Sequence, residues 1–350
     1  HDAIGCLFDL YSSGWRDIEM MKTITLLIAT MFLTGCQSEQ VTPYDFALAC
    51  ESIPNEENAK LRLSEASDDW FQVYEVSEGV YSIMEPYQIQ GTISHLIVGS
   101  DRAILFDTGI GLLPIKPVVD RITDLPVSVL NSHTHYDHVG GNAEFSSILA
   151  IDSDYTHANM EGFEHSRIAE DFVPDTFCND PPAGVDLATF HTRPWTASRY
   201  VEDGEILDLG DRRLEILHVP GHTPDATALL DADNGLLFTG DSFYDAELWL
   251  FVPETNLDDY ERAISRLAGV ERDVKYLLGA HTSARVDAGR LTQVQTAFRK
   301  LRSGDFVGEM NPGGRSFLAV DGIEFVTSQQ VLDGKQGDTS RGGSGLDTWH

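Results

Sequence analysis

Residues 131–142, Asn-Ser-His-Thr-His-Tyr-Asp-His-Val-Gly-Gly-Asn, crowd four side chains that can bind a transition metal, His133, His135, Asp137 and His138, into six positions. They follow directly on the apolar run 126–130, Pro-Val-Ser-Val-Leu, and so read as a loop leaving the end of a strand. At a strand end residues i and i+2 point the same way. His133 and His135 can therefore close on one ion, while the turn through Tyr136 carries Asp137 and His138 toward a second. The plain alternative, a His-rich surface loop, leaves three further features unexplained. Pro220-Gly-His222-Thr, Thr239-Gly-Asp241-Ser and Gly279-Ala-His281-Thr each set a His or Asp beside Gly just after a short apolar run. Strand ends built alike point to one shared rim.

The rest of the chain supplies strands to make that rim. Segments 71–76, 80–84, 92–98 and 103–107 are dense in β-branched and aromatic residues and are separated by Gly or charged turns, which predicts a mostly antiparallel sheet. A short helix is expected over 115–122. Strand patterning resumes at 205–209, 214–219, 226–230 and 236–238. Helical spacing follows over 257–267, beginning beside Asp258 and Asp259, and again over 289–301. Strands followed by helices, twice over, predict an α/β fold of two sheets packed face to face with helices outside. Between the halves, 152–200 is irregular and rich in Phe163, Phe172, Phe177, Phe190, Trp195 and Tyr200. It is either an insertion packed on the sandwich or a wall over the metal centre. The expected organisation is a hydrolase-like domain over 70–328, a polar tether over 37–69 with one helix near 57–65, and a disordered Gly/Ser-rich tail over 329–350.

In this order, Asp107 in Phe-Asp-Thr-Gly, the HxHxDH motif at 133–138, His222, Asp241 and His281 resemble the metallo-β-lactamase superfamily, over roughly residues 70–300. The resemblance implies an αββα sandwich and two zinc ions per chain, with iron or manganese also compatible with these ligands. It implies that His133, His135 and His222 hold one ion, that Asp137, His138 and His281 hold the other, and that Asp241 bridges them. Asp107 would orient the histidines from behind. A hydroxide held between the two ions would attack a carbonyl carbon, with Asp241 steadying the leaving group and passing it a proton. Asp137, Asp241 and Tyr244 are thus the expected catalytic residues. Tyr244, three residues after Asp241, is similar in placement to a carbonyl-polarising tyrosine of the N-acyl homoserine lactonase branch.

Departures from other branches narrow the reading. Diiron flavoproteins carry Glu where His135 stands. No lysine follows Asp241 to hold a drug carboxylate, although Ser242 could partly serve. The implied activity is hydrolysis of a small acyl substrate, a lactone or ester, with β-lactam hydrolysis as the alternative. A non-enzymatic metal-binding surface lipoprotein is the contrasting class, and an open seven-residue donor set argues against it.

Charge and leader complete the picture. With 24 Lys+Arg against 56 Asp+Glu the net charge is -32, which repels nucleic acid. The apolar run starting at Met21 ends in Leu33-Thr-Gly-Cys36, which looks like a bacterial lipoprotein signal with its lipobox over 21–36. Cleavage before Cys36, a lipid anchor there, and a location on the periplasmic side of the membrane are the expectation, with residues 1–20 as upstream sequence. Cys50 and Cys178 are then either one disulfide or two separate thiols.

Overall fold

The alternating strands of the first half fold back on themselves as a meander and then switch to parallel pairing. The computed structural model describes residues 50, 53, 56–311 and 314–335. The signal-like segment 21–36, its cysteine Cys36 and the upstream stretch 1–20 lie outside the described residues. Strands β1 (Arg62–Leu63), β2 (Gln72–Ser77), β3 (Val80–Met84), β4 (Ile93–Val98), β5 (Ala103–Phe106), β6 (Val127–Leu130), β7 (Ile148–Ile151) and β8 (Arg199–Val201) form an eight-stranded sheet in chain order. Neighbours are antiparallel up to β5, while β5, β6, β7 and β8 run parallel. Strands β9 (Ile206–Asp208), β10 (Arg213–His218), β11 (Thr227–Asp231), β12 (Leu236–Gly240), β14 (Tyr276–Gly279) and β15 (Val286–Asp287) form a second sheet, ordered β15-β14-β12-β11-β10-β9.

Alternation decides which face each residue buries. Met84, Ile97, Phe106 and Leu130 of the first sheet meet Leu214, Ile216, Phe238 and Leu278 of the second in one core. The opposite face of the first sheet, with Val73, Leu96 and Leu105, is covered by α1 (Lys116–Ile122) and the 152–200 segment. The opposite face of the second is covered by α5 (Leu257–Gly269) and α6 (Arg290–Arg302). The helix α5 buries Tyr260, Ala263, Ile264 and Leu267, the 3.6-residue spacing of one face, and the Asn256 side chain caps it by accepting from the Asp258 and Asp259 N–H groups. The layers are αββα, as expected. Between these helices and α1 lie the short α2 (Tyr136–Val139), α3 (Asp154–Asn159) and α4 (His165–Ile168).

Three expectations are corrected and one sheet is added. Residues 58–63 of the supposed tether pack on the domain: Asn58 is fully buried, its amide donates to the Thr282 carbonyl at 2.9 Å and its oxygen accepts the Ala284 N–H at 2.8 Å. Instead of a helix over 57–65 there is a 3-10 turn, Asn58–Lys60, and then β1, because the open edge of β2 offers backbone partners to Arg62 and Leu63. The tail begins with an ordered turn, α7 (Gln329–Leu332), whose Val331 N–H is capped by Ser328. A third sheet, β13 (Leu248–Leu250) with the hairpin β16 (Arg315–Val320) and β17 (Ile323–Ser328), was not foreseen. Its turn residues Asp321 and Gly322 both have positive φ, the Asp-Gly signature of a tight hairpin.

The aromatic residues of 152–200 divide the two readings offered for that segment. Phe163, Phe172, Phe177 and Trp195 are buried against the first sheet and α1, so these four rings are packed structure, while Tyr200 is exposed. A Cys50–Cys178 disulfide ties it to the start of the described chain.

Candidate metal centre

Strands β5, β6, β10, β12 and β14 all release their next residues at one edge of the sandwich. Asp107 follows β5 with φ 68. His133 and His135 follow β6, and Asp137 and His138 sit on the single turn of α2. His222 is reached from β10 through Gly221, where φ is 148 and a Cβ would stand 2.3 Å from the Tyr260 Cα. Asp241 follows Gly240, at φ 51, whose missing side chain leaves room for Ser132. His281 follows β14.

All seven side chains expected to hold metal are brought together. His133, His135 and His222 make one group; His133, His138 and Asp241 a second; Asp137, His138 and His281 a third, with ligand atoms inside each group no more than 4.8 Å apart. His135 Nδ1 is 2.8 Å from His133 Nε2 and 3.2 Å from His222 Nε2. Asp241 lies between: Oδ2 is 3.5 Å from His222 Nε2 and 4.0 Å from His133 Nε2, while Oδ1 is 3.1 Å from His281 Nε2 and 3.7 Å from His138 Nε2. Asp137 Oδ2 is 3.3 Å from His138 Nε2.

The outward nitrogens fix which way these rings present their lone pairs. His222 Nδ1 donates to the Trp249 carbonyl at 2.8 Å and His281 Nδ1 to the Gln90 carbonyl at 2.7 Å. In a neutral ring the inward Nε2 is then an acceptor. His281 Nε2 faces both oxygens of Asp241 at 3.1–3.2 Å, acceptor against carboxylate, an arrangement that calls for a proton or a cation between them. His138 Nε2 and Asp241 Oδ1 are buried with no hydrogen-bond partner among the described residues. Imidazole and carboxylate donors with two orphaned buried atoms fit a divalent metal pair.

Electrostatics divide the set: against the pull of burial, neighbouring carboxylates raise His135, His138 and His281 above the ordinary imidazole value. Burial keeps His133 well below the usual imidazole range and brings His222 to about 4, so both are neutral near pH 7. Burial alone would raise the Asp241 carboxyl, but the His281 and His138 imidazoles outweigh it and hold it well below the usual carboxylate range. Asp107, as expected, stands behind the histidines: Oδ2 is 3.1 Å from His138 Nδ1 and Oδ1 accepts the Ser132 N–H at 2.6 Å. Tyr244 stacks edge-on to His281, ring centroids 4.9 Å apart, and its hydroxyl accepts the Trp249 N–H at 3.1 Å. Beside Tyr244 and Thr282 opens a cavity of about 360 Å³ that reaches Arg290 and Ile323.

Supporting residues escaped the sequence reading. Ser132 meets His133 Nδ1 at 3.0 Å, and Glu254 meets His135 Nε2 at 3.1 Å. Asp225 accepts from Thr134, Thr223 and Thr156 beneath the metal loop. Each is a lone residue with no spacing pattern to mark it.

A mixed α/β sandwich with a His/Asp cluster where the strands of both sheets end defines a class of metal-binding fold. Residues 91–302 match the family model of the metallo-beta-lactamase superfamily, and the chain belongs to that family. Among curated proteins it is similar to acyl-coenzyme A thioesterase MBLAC2 of Gallus gallus, 28% identical over 211 residues that span 57% of this chain and 75% of that one. The Homo sapiens protein of the same name is 26% identical over 219 residues, 57% and 76% of the two chains. Among solved structures, VMB-1 shares the fold with TM-score 0.50 at 14% identity, covering 67% of this chain and 99% of that one. The sec-alkylsulfatase Pisa1 from Pseudomonas sp. does so with TM-score 0.51 at 15% identity, covering 66% and 42%.

Proposed function

We propose that this superfamily hydrolase cleaves the ester-type bond of a small acyl substrate, using two divalent ions held by the rim. Lactones and oxygen esters suit the sequence pattern, and the names of the MBLAC2 relatives add acyl thioesters. The observation that carries the reading is the convergence of His133, His135, Asp137, His138, His222, Asp241 and His281 on one small volume. Zinc is the ion proposed for both groups. His133, His135 and His222 would hold one, Asp137, His138 and His281 the other, with Asp241 between.

When bound, such ions supply Lewis acidity and a water that ionises near neutral pH. The chain's own residues do the rest. Asp241, ionised and within reach of both histidine groups, can accept a proton and return it to the leaving group. Tyr244 keeps its proton, since burial drives the phenol well above its ordinary value, so it serves as a hydrogen-bond donor to the substrate carbonyl oxygen. Neither described cysteine is a nucleophile, because Cys50 and Cys178 are joined.

The test is a side-by-side initial-rate assay of zinc-loaded protein on an acyl-coenzyme A, an N-acyl homoserine lactone and a chromogenic cephalosporin. Turnover of either of the first two, with Asp241→Ala losing most of it and about one bound metal per chain, is the expected result. Turnover confined to the cephalosporin would replace the acyl-ester reading with the β-lactam one.

The site of action proposed is outside the cytoplasm, with a lipid anchor at Cys36. The pattern at 21–36 and the disulfide, which suits an oxidising compartment, support it. Metabolic labelling with an alkyne fatty acid should mark the protein and fail on Cys36→Ser; equal labelling of both would refute the anchor.

A further inference from the structure

The histidines of the rim are not oriented alike. His133, His138, His222 and His281 turn Nε2 inward and are held from outside at Nδ1 by Ser132, Asp107, the Trp249 carbonyl and the Gln90 carbonyl. His135 is reversed. Its Nδ1 faces His133 and His222, and its Nε2 faces outward to Glu254 Oε1 at 3.1 Å. It is also the most exposed of the set, 18% against 7% or less for the other four, so its ring has the least packing to fix it.

A neutral imidazole carries one N–H. For Nδ1 to offer a lone pair inward, the proton has to sit on Nε2, and a carboxylate at hydrogen-bond distance from Nε2 selects that tautomer. Such a partner also makes the ligating nitrogen more basic. Glu254 lies between β13 and α5 and is itself pinned: Tyr155, on α3, donates its hydroxyl to the same Oε1 at 2.6 Å, and its ring stands edge-on to His135. The His133, His135, His222 group holds three imidazoles and no carboxylate of its own. Glu254 adds a negative charge on that side, and Tyr155 is where the 152–200 segment meets Glu254.

We propose that Glu254 is the positioning residue of the three-histidine site: it holds His135 as the Nε2–H tautomer with Nδ1 turned inward and raises that site's affinity for a divalent ion, while Tyr155 keeps the carboxylate in place. The inference rests on the two-metal reading above but names residues outside the ligand set.

The experiment titrates zinc into metal-free wild type, Glu254→Gln, Glu254→Ala and Tyr155→Phe against a chromogenic chelator, and reads the His135 tautomer from long-range 1H–15N correlations in the zinc-loaded proteins. Wild type should bind two ions with His135 as Nε2–H. Glu254→Gln keeps an acceptor oxygen but no charge, so it should keep the tautomer and bind one of the two ions about 10-fold more weakly. Glu254→Ala should lose the tautomer preference and weaken the same ion up to about 100-fold, with Tyr155→Phe weaker in effect than either. Wild-type affinity for both ions in both Glu254 variants would overturn the proposal. So would an equal loss at both sites accompanied by a lower melting temperature of the metal-free chain, the mark of a merely structural role. A wild type that takes up no zinc would overturn the two-metal reading itself, and this inference with it.

Discussion

Tyr244 shows how one side chain acquires a single chemical role. Buried, with the Asp241 carboxylate nearby, its phenol is driven well above its ordinary value, and the Trp249 N–H holds its oxygen in place. What remains is donation. Tyr244→Phe should lower kcat about 10- to 100-fold with little change in bound metal, measured by steady-state kinetics alongside metal analysis. An unchanged kcat would return Tyr244 to packing against His281. The seven rim residues were legible because four are crowded into the loop 133–138 after one apolar run, and His222, Asp241 and His281 each stand within two residues of a Gly that closes another, all local patterns. Glu254 was not, because its only relation to His135 is spatial, across a sequence separation of 119.

At the scale of elements, His95 on β4 ties the two sheets together. Its Nε2 meets the Gly279 carbonyl of β14 at 2.9 Å and its Nδ1 meets Ser82 at 2.9 Å. Burial pulls its pKa down from 6.5 to about 4. The folded state therefore binds fewer protons than the unfolded one between those values, so the contribution of the neutral ring is intact above pH 6.5 and is lost as pH falls toward 4. In urea unfolding of chelator-treated protein, wild type should lose on the order of 3 kcal/mol more than His95→Asn between pH 7 and pH 4. Equal losses would show that His95 is not the titrating group.

The Cys50–Cys178 disulfide works on a different element, closing a sequence separation of 128 and anchoring the 152–200 segment. By the chain-entropy model it contributes about 5 kcal/mol. Dithiothreitol should lower the melting temperature of wild type and leave that of the Cys50→Ser/Cys178→Ser variant unchanged. An insensitive wild type would mean the bond does not form. The strands of the sandwich were visible as runs of β-branched and aromatic residues between Gly or charged turns, whereas the β13-β17-β16 sheet was missed because β13 is three residues long and finds its partner far along the chain.

For the whole molecule, the rim joins strand ends from both sheets, so metal binding and folding are coupled. Ions that bind only the folded state add RT ln(1 + [L]/Kd), about 4 kcal/mol when the free ion is at 1,000 Kd. Exhaustive dialysis against a chelator should lower the melting temperature by several degrees and zinc should restore it; a transition indifferent to both would mean that the fold does not hold the ions. The charge of -32 acts at this scale too, keeping polyanions such as nucleic acid away from the surface without selecting a fold.

The sequence by itself determined the metal loop, the strands that lead to it and the αββα layering, because these are written in spacings of two to four residues that backbone geometry converts directly into direction. Tertiary structure alone decided the packing of Asn58 on Thr282 and Ala284, the hairpin sheet over α5 and α6, and the reversed ring of His135 on Glu254. The physical reason is the same in each case: a contact such as the Asn58 amide on the Thr282 carbonyl spans 224 residues and depends on a single side chain. No periodic pattern marks such a pair before the chain has folded.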